Sequence, residues 1–162
     1  YIRAFAKTYP DYTPQDLLSI DWLFRPKTII TADARSSNLS TINTPLYMYM
    51  FTWRSPLNND SIHGHELKFC FNTLHRAKHD LPNPTAEDQE LADKMSSVWS
   101  HVAHTGNPNI EGLPVWHPYN SENGELMIFD YNCRIRNNPD RELEEIINRH
   151  CFKQLDAFKK RN

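Results

Sequence analysis

The chain has 162 residues, of which 23% are charged, and its formal net charge is −2. This length supports one hydrophobic core, so we expect a single domain or part of a larger one. The near-neutral charge argues against a nucleic-acid partner, because phosphate binding needs a basic face. No apolar run approaches the roughly 20 residues that span a bilayer, so no membrane partner is expected either.

The start of the chain, YIRAFAKTYP, has neither an initiator methionine nor a signal-peptide pattern, which suggests a fragment or a processed product. The three cysteines, Cys70, Cys133 and Cys151, lack CxxC spacing, and we interpret them as small buried hydrophobic residues. The sequence holds 4 glycines and neither a G-x-G-x-x-G nor a P-loop pattern, so no nucleotide cofactor is expected.

The first half of the chain is predicted to form two helices and one strand. A cap signal at residues 13–16 starts the first helix. Pro26 starts the second, whose inner side is expected to carry Ile29, Ile30 and Ala34. Residues 46–52, in the run LYMYMFTW, are apolar on both alternating faces, as in a strand buried inside a mostly parallel sheet. Such a strand needs partners on both edges, and few are found in the remaining sequence.

The second half begins with a long amphipathic helix, started by a cap from Thr85 and Asp88 and ended by Gly106 and Pro108. Its apolar stripe consists of Leu91, Met95, Val98, Trp99 and Val102. The segment LMIFDYNCRIR reads as two short strands about a tight turn. A last helix starts at residues 138–140 and carries an apolar side of Leu143, Ile146, Ile147, Cys151, Leu155 and Phe158. The pattern predicts an α/β protein, most of whose sheet lies elsewhere.

The polar, turn-rich loop TWRSPLNNDSIHGHELKFCF delivers His63 to the start of an apolar helix. A histidine on a loop beyond a sheet strand suits general acid/base catalysis, although a structural loop histidine is the simpler interpretation of the pattern alone. Gly64 permits close backbone approach. Glu66 could orient or tune the neighbourhood of His63, but it is too close in sequence to be the acid of a catalytic triad.

The other histidine pairs suggest a metal site as the competing use of this residue type. Residues 63 and 65, 75 and 79, and 101 and 104 have spacings that can bind zinc, but no third ligand or H-E-x-x-H pattern accompanies them. We therefore expect polar helix faces and no metal or other cofactor. No serine occupies a G-x-S-x-G elbow, and burial of Cys70 would raise its pKa and make it inert. The candidate base has no nucleophile in this sequence.

Five phrases, in order, resemble the C-terminal part of type-B carboxylesterases, the cholinesterase-like branch of the α/β-hydrolases. They are DWLFRPKTII, PLYMYMFTWRSP, IHGHELKFCF, HVAHTGNPNIEGLPVWHPY and MIFDYNCRIR. Residues 63–69 match the family pattern H-G-x-E-L/I-x-F, and residues 105–109 match T-G-[ND]-P-N. The resemblance implies that His63 is the triad histidine, supported by Gly64 and Glu66. It also implies that the serine, its elbow, the oxyanion loop and the acid lie upstream.

Departures from the family pattern indicate the branch. Arg25-Pro26 stands where animal cholinesterases have a disulfide cysteine, which resembles bacterial, para-nitrobenzyl-esterase-like members. The position after Gly64 is often Tyr or Leu in relatives, whereas this chain has His65. For a bacterial enzyme, the compartment stays open between cytoplasm and export.

The resemblance thus implies that residues 1–162 are the C-terminal portion of a single carboxylesterase domain. We expect an α/β-hydrolase fragment of mostly helices, one central-sheet strand and a small hairpin. The intact enzyme would hydrolyse a small-molecule ester through an acyl-serine. The chain alone would be nearly inactive and self-associating without its N-terminal portion. Two alternatives are a non-catalytic binding module that reuses the fold and a helical adaptor held by a histidine-bound metal.

Overall fold

The computed structural model of the chain describes residues 1–10, 12, 25–38, 43–147 and 149. These residues belong to two compact units, one within Tyr1–Thr44, Asn120–Asn123 and Asn138–Asn162, the other within Pro45–Tyr119 and Gly124–Asn137. In chain order, the described elements are α1 (Ile2–Thr8), α2 (Arg25–Ser36), β1 (Tyr49–Phe51), α3 (Leu67–Cys70), a 3-10 turn (Leu74–Arg76), α4 (Ala86–Thr105), β2 (Glu125–Phe129), β3 (Arg134–Asn137) and α5 (Arg141–Ile147).

The core of the first unit is formed where α1 contacts α5. It buries Ala4, Phe5, Tyr9 and Leu143. Just before α5, the buried carboxylate of Asp140 accepts hydrogen bonds from the Tyr9 hydroxyl and, at 2.8 Å, from the guanidinium of Arg25. A buried carboxylate with an arginine partner is held in a fixed geometry, so this ion pair links the start of α2 to the start of α5.

Helix α2 forms as predicted, but its predicted inner side is correct only for Ile29, which is partly buried. Pro26 and Ala32 are buried, whereas Ile30 is 45% exposed and Ala34 is also exposed. The ion pair with Asp140 holds the Arg25 side chain partly buried at the start of the helix.

Two of the predicted helix features cannot be compared with the structure. The cap signal at residues 13–16 lies outside the described residues, as do Cys151, Leu155, Phe158 and the side chain of Ile147.

The second unit contains a three-stranded sheet in the order β1-β2-β3. Strand β1 is parallel to β2, with Tyr49 opposite Met127, and β2 is antiparallel to β3, with Ile128 opposite Arg134. The predicted hairpin is therefore confirmed, and β2 is buried along its whole length. Strand β1 is shorter than the predicted 46–52, and Tyr49 is 40% exposed rather than buried. The reason is that, in the described part of the chain, β1 pairs with β2 alone.

Helix α4 follows the sequence prediction closely. Thr85 is the N-cap, and its side chain and that of Asp88 form a reciprocal capping box. Gly106 adopts the left-handed conformation, with φ of 75°, and donates its N–H to Val102 at the C-terminus. The buried stripe of the helix packs under the sheet and under α3, and it consists of Leu91, Ala92, Met95 and Val98. Among the described helices, none has the length and apolar character that a membrane crossing requires.

Candidate active site

The candidate site begins where two parallel strands end side by side. Beyond β1, Thr52 donates its N–H to the carbonyl of Phe129 at 2.9 Å, and its hydroxyl donates to Asp130 at 2.9 Å. Trp53 follows at once and is buried. Because the carboxyl ends of parallel strands lie at the same edge of a sheet, the segment after β1 and the segment after β2 begin next to each other at that edge.

The loop after Trp53 turns back toward the end of β1. Within it, Ser55 donates its N–H to the carbonyl of Asp60 at 2.7 Å, and Asn59 adopts a positive φ of 54° that closes the turn. The hydroxyl of Ser61 then donates to the carbonyl of Phe51, the last residue of β1, at 3.3 Å. His63, two residues later, is therefore held near the carboxyl end of the strand.

His63 occupies an exposed turn that leads directly into α3. His65 donates its N–H to Ile62, and Leu67 donates to Gly64, both at 3.2 Å. Gly64 has a φ of +87°, and a Cβ at this position would meet no atom within 4 Å. The positive φ is a conformation that glycine adopts without strain, which favours glycine at this position.

Glu66 precedes α3, and its carbonyl accepts hydrogen bonds from Phe69 at 3.0 Å and Cys70 at 2.9 Å. Its carboxylate also influences Cys70. Burial, and then the charge of Glu66, raise the pKa of the Cys70 thiol to about 11. The thiol is therefore protonated at neutral pH, and the predicted burial of Cys70 is confirmed.

His65 was expected on a polar helix face with the other paired histidines, but it is buried, with 8% of its surface exposed. Its ring stands edge-to-face against Trp53, with centroids 6.1 Å apart. Its Nδ1 is buried and has no hydrogen-bond partner among the described residues. Burial, followed by the nearby charge of Lys68, lowers the pKa of His65 and keeps the imidazole neutral.

Lys68 is a second unexpected buried residue, on α3 itself. Its ammonium group lies 5.3 Å from the centre of a Trp53 ring and 3.6 Å from a carboxylate oxygen of Asp80. A cation over an aromatic ring is stabilised by the ring's negative face, and Asp80 supplies the balancing charge. Trp53 therefore contacts the segment after His63 at several points.

Asp88 lies beneath this arrangement and is 1% exposed. One of its oxygens accepts from Trp53 Nε1 at 2.8 Å and from the Tyr131 hydroxyl at 2.7 Å. The other accepts from the N–H and the hydroxyl of Thr85, both at 2.8 Å. Burial by itself would raise the pKa of Asp88, but these donors together hold it below the ordinary value. The sequence analysis identified Asp88 only as a helix cap.

The histidine pairs considered as metal ligands do not gather into a larger cluster. Across the described ranges, no group of three or more His, Cys, Asp or Glu side chains is arranged to hold a metal ion. His75, His79 and His104 are exposed, and His79 and His104 make local hydrogen bonds to Asp80 and to the carbonyl of Ser100.

Comparison with known proteins identifies the relatives of this chain. The profile described as the Carboxylesterase family matches residues 13–146. Para-nitrobenzyl esterase of Bacillus subtilis is 31% identical over 151 residues, which cover 86% of this chain and 29% of that protein. Liver carboxylesterase of Sus scrofa is 35% identical over 91 residues, which cover 52% of this chain and 15% of that protein.

Solved structures give the same result. An esterase from Clostridium hathewayi superposes with a TM-score of 0.76 at 30% identity, covering 91% of this chain and 28% of that one. A thermophilic PNB esterase superposes with a TM-score of 0.70 at 29% identity, covering 90% and 30% respectively. The chain thus spans less than a third of the length of these relatives, and its three strands and helices correspond to part of an α/β-hydrolase fold. We conclude that the chain belongs to the carboxylesterase family.

Proposed function

We propose that this chain is the C-terminal, histidine-bearing portion of a carboxylic-ester hydrolase, and that His63 is its catalytic general acid/base. The observation that carries the proposal is the position of His63. It lies in an exposed turn, and hydrogen bonds of the preceding loop hold this turn near the carboxyl end of a parallel strand. The turn lies inside the segment that the carboxylesterase profile matches. An imidazole there is exposed to reacting groups, on a loop that extends from a strand of the sheet.

The proposed chemistry follows from what an imidazole supplies. A serine hydroxyl attacks the ester carbonyl while His63 accepts its proton, and the protonated ring then gives that proton to the leaving alcohol. Water attacks the acyl-serine in a second round of the same transfers. The serine, the acid partner and the oxyanion donors are proposed to lie in an upstream portion of the same polypeptide, since relatives are about three times as long.

A histidine variant in the intact esterase, meaning the polypeptide that joins this chain to its proposed upstream portion, tests the assignment. We expect His63→Ala to lower kcat for para-nitrophenyl acetate by about 10³-fold or more. His104→Ala, which removes another exposed histidine, is the matched control and should keep the wild-type rate. Equal activity of the wild type and the His63→Ala variant would refute the role of His63. An intact polypeptide without esterase activity would instead support a non-catalytic binding module.

The isolated chain provides a second test. Without nucleophile and oxyanion donors most of the rate enhancement is lost, so the 162-residue chain should hydrolyse the same ester hardly faster than free imidazole. Enzyme-like turnover that disappears in His63→Ala would contradict the proposed division of the active site between two portions of the polypeptide.

The partner proposed for this chain is its own N-terminal portion. An apolar groove of about 270 Å³ beside β1 is lined by Tyr47, Tyr49, Val98, Trp99, Val102, Pro108 and Trp116. Tyr49 and Val102 are 40% and 39% exposed, although both were predicted to be core residues. We expect strands of that N-terminal portion to cover this groove and the edge of β1 that pairs with no strand among the described residues. The isolated chain should therefore sediment as dimers or larger species, and a monomer at every concentration would contradict this.

The substrate range is best explored with esters suggested by the relatives. The Bacillus subtilis relative is named for para-nitrobenzyl esters, and the Clostridium hathewayi esterase can hydrolyse aliphatic aromatic polyesters. We propose small aromatic esters as the substrate class. Comparison of para-nitrobenzyl acetate with an aliphatic ester of similar size would test it, and a preference for the aliphatic ester would count against it.

A further inference from the structure

Trp53 connects the end of β1 to the segment that carries His63. Its ring centroids lie 4.9 Å from that of Phe69 and 6.1 Å from that of His65, and the Lys68 ammonium group lies 5.3 Å from a Trp53 ring. All three neighbours belong to the turn after His63 or to α3. Since α3 has four residues and cannot be stable alone, its position depends on this aromatic support.

Asp88 makes more hydrogen bonds than a helix cap needs. The capping box is complete with one carboxylate oxygen, Oδ2, which accepts from the N–H and hydroxyl of Thr85. The other oxygen, Oδ1, accepts from Trp53 Nε1 and from the Tyr131 hydroxyl. Trp53 Nε1 also donates to the Tyr131 oxygen at 2.9 Å, so the three side chains form a closed set of hydrogen bonds. Oδ1 takes no part in the helix cap, and its hydrogen bonds hold the Trp53 indole in place together with Tyr131.

We propose that Asp88 is a positioning residue for His63, acting through Trp53, and the proposal rests on the catalytic role proposed for His63. Oδ1 fixes the indole at the carboxyl edge of the sheet. The indole in turn fixes the turn at residues 62–66 through His65 and Phe69. Asp88 lies in the first turn of α4, and Tyr131 lies in the turn after β2. The position of His63 therefore depends on both of these elements and not only on its own loop. A displacement of about 1 Å at a reacting group costs up to about 100-fold in rate, so such bracing affects turnover directly.

Variants of Asp88 and Thr85 separate positioning from capping. Asp88→Ala removes both oxygens. Asp88→Asn keeps a carbonyl for Trp53 and Tyr131, because Trp53 can only donate, and it places an amide toward Thr85, which weakens the cap. Thr85→Ala weakens the cap and leaves Oδ1 untouched. Thr85→Ala and Asp88→Asn are thus matched controls, which damage the helix start without removing the acceptor for the indole.

The kinetic measurement is made on the intact esterase with para-nitrophenyl acetate. We expect Asp88→Ala to lower kcat by about tenfold with KM changed less than about twofold. Thr85→Ala and Asp88→Asn should lower the thermal midpoint but keep kcat within about 1.5-fold of wild type. The proposal is overturned if kcat follows the thermal midpoint across all three variants, or if Asp88→Ala turns over at the wild-type rate.

Tyr131→Phe keeps the proposal falsifiable if Asp88→Ala does not fold. Tyr131 is half exposed, so loss of its hydroxyl leaves the core intact while it removes one donor from Oδ1. We expect kcat to fall by about threefold and the line width of the His63 ring resonances in NMR spectra to change. Unchanged kcat together with unchanged His63 resonances would overturn the proposal.

The NMR measurement also separates the two proposals. Changed His63 resonances in these variants, together with wild-type activity of His63→Ala, would sustain the bracing and refute the catalytic role. Loss of activity in His63→Ala, with kcat and the His63 resonances unchanged by substitutions at Asp88 and Tyr131, would support the catalytic role of His63 and refute the positioning role of Asp88.

Discussion

Replacement of Phe69 by alanine tests how far α3 depends on the aromatic cluster beneath it. Phe69 is 0% exposed, and its ring centroid lies 4.9 Å from that of Trp53 and 5.3 Å from that of Phe51. Truncation of a buried phenylalanine costs about 3–5 kcal/mol, including the cavity that is left. Such measured costs already include lost aromatic contacts, so the expected loss of unfolding free energy is about 4 kcal/mol, the middle of this range.

The assay is urea unfolding at several protein concentrations, followed by tryptophan fluorescence and far-UV circular dichroism. Phe71→Ala is the matched control, because Phe71 follows α3 immediately but is 73% exposed, and its truncation should change the free energy by less than about 0.5 kcal/mol. A loss below about 1 kcal/mol for Phe69→Ala, or equal losses for the two variants, would refute the idea that the buried ring holds α3 in place.

Three further predictions concern separate sites. Burial, and then the charge of Asp140, raise the pKa of Glu144 to about 7 from the usual 4.5. Between these two pH values the folded state keeps the Glu144 proton and the unfolded state has lost it. The stability of the folded state therefore falls as pH rises from 4.5 to about 7. Glu144→Gln should abolish that decline, which partial exposure limits to about 1 kcal/mol, and an unchanged pH dependence in urea titrations would contradict it. Cys70, with its pKa raised to about 11, should react with a disulfide reagent at neutral pH much more slowly in folded than in urea-unfolded protein, and equal rates would show that it is accessible. Gly64→Ala should cost about 1 kcal/mol through its φ of +87° alone, whereas a neutral effect in thermal unfolding would show that the turn relaxes.

Elements with local signals were predictable from the sequence. The start of α4 depends on Thr85 and Asp88, three residues apart, and its end depends on Gly106, so both boundaries can be read from neighbouring residues. The β2–β3 hairpin is equally local. The inner side of α2 was predicted only in part, and the start of this helix is held by an ion pair between Arg25 and Asp140, 115 positions apart in the chain. Periodicity within a helix carries no information about such a partner.

Around His63, too, the local features were predictable from the sequence and the long-range contacts were not. The turn itself was predicted from its polar, glycine-containing sequence. The second role of Asp88 was not, because its partners Trp53 and Tyr131 are 35 and 43 positions away, and side-chain hydrogen bonds of that range leave no pattern. The burial of His65 was missed because two histidines separated by one residue look alike in sequence, although one is exposed and the other packs on an indole.

The parallel pairing of β1 with β2 has a consequence for the order of folding. The chain between the paired strands, from residue 52 to residue 124, contains the histidine turn, α3 and α4. Closure of so long a connection is slow compared with formation of a local helix such as α4. Trp53 and Tyr131 each come two residues after one of the paired strands, so we expect both to reach Asp88 in the observed geometry together with that pairing. The turn that presents His63 should therefore reach its final geometry among the last steps of folding.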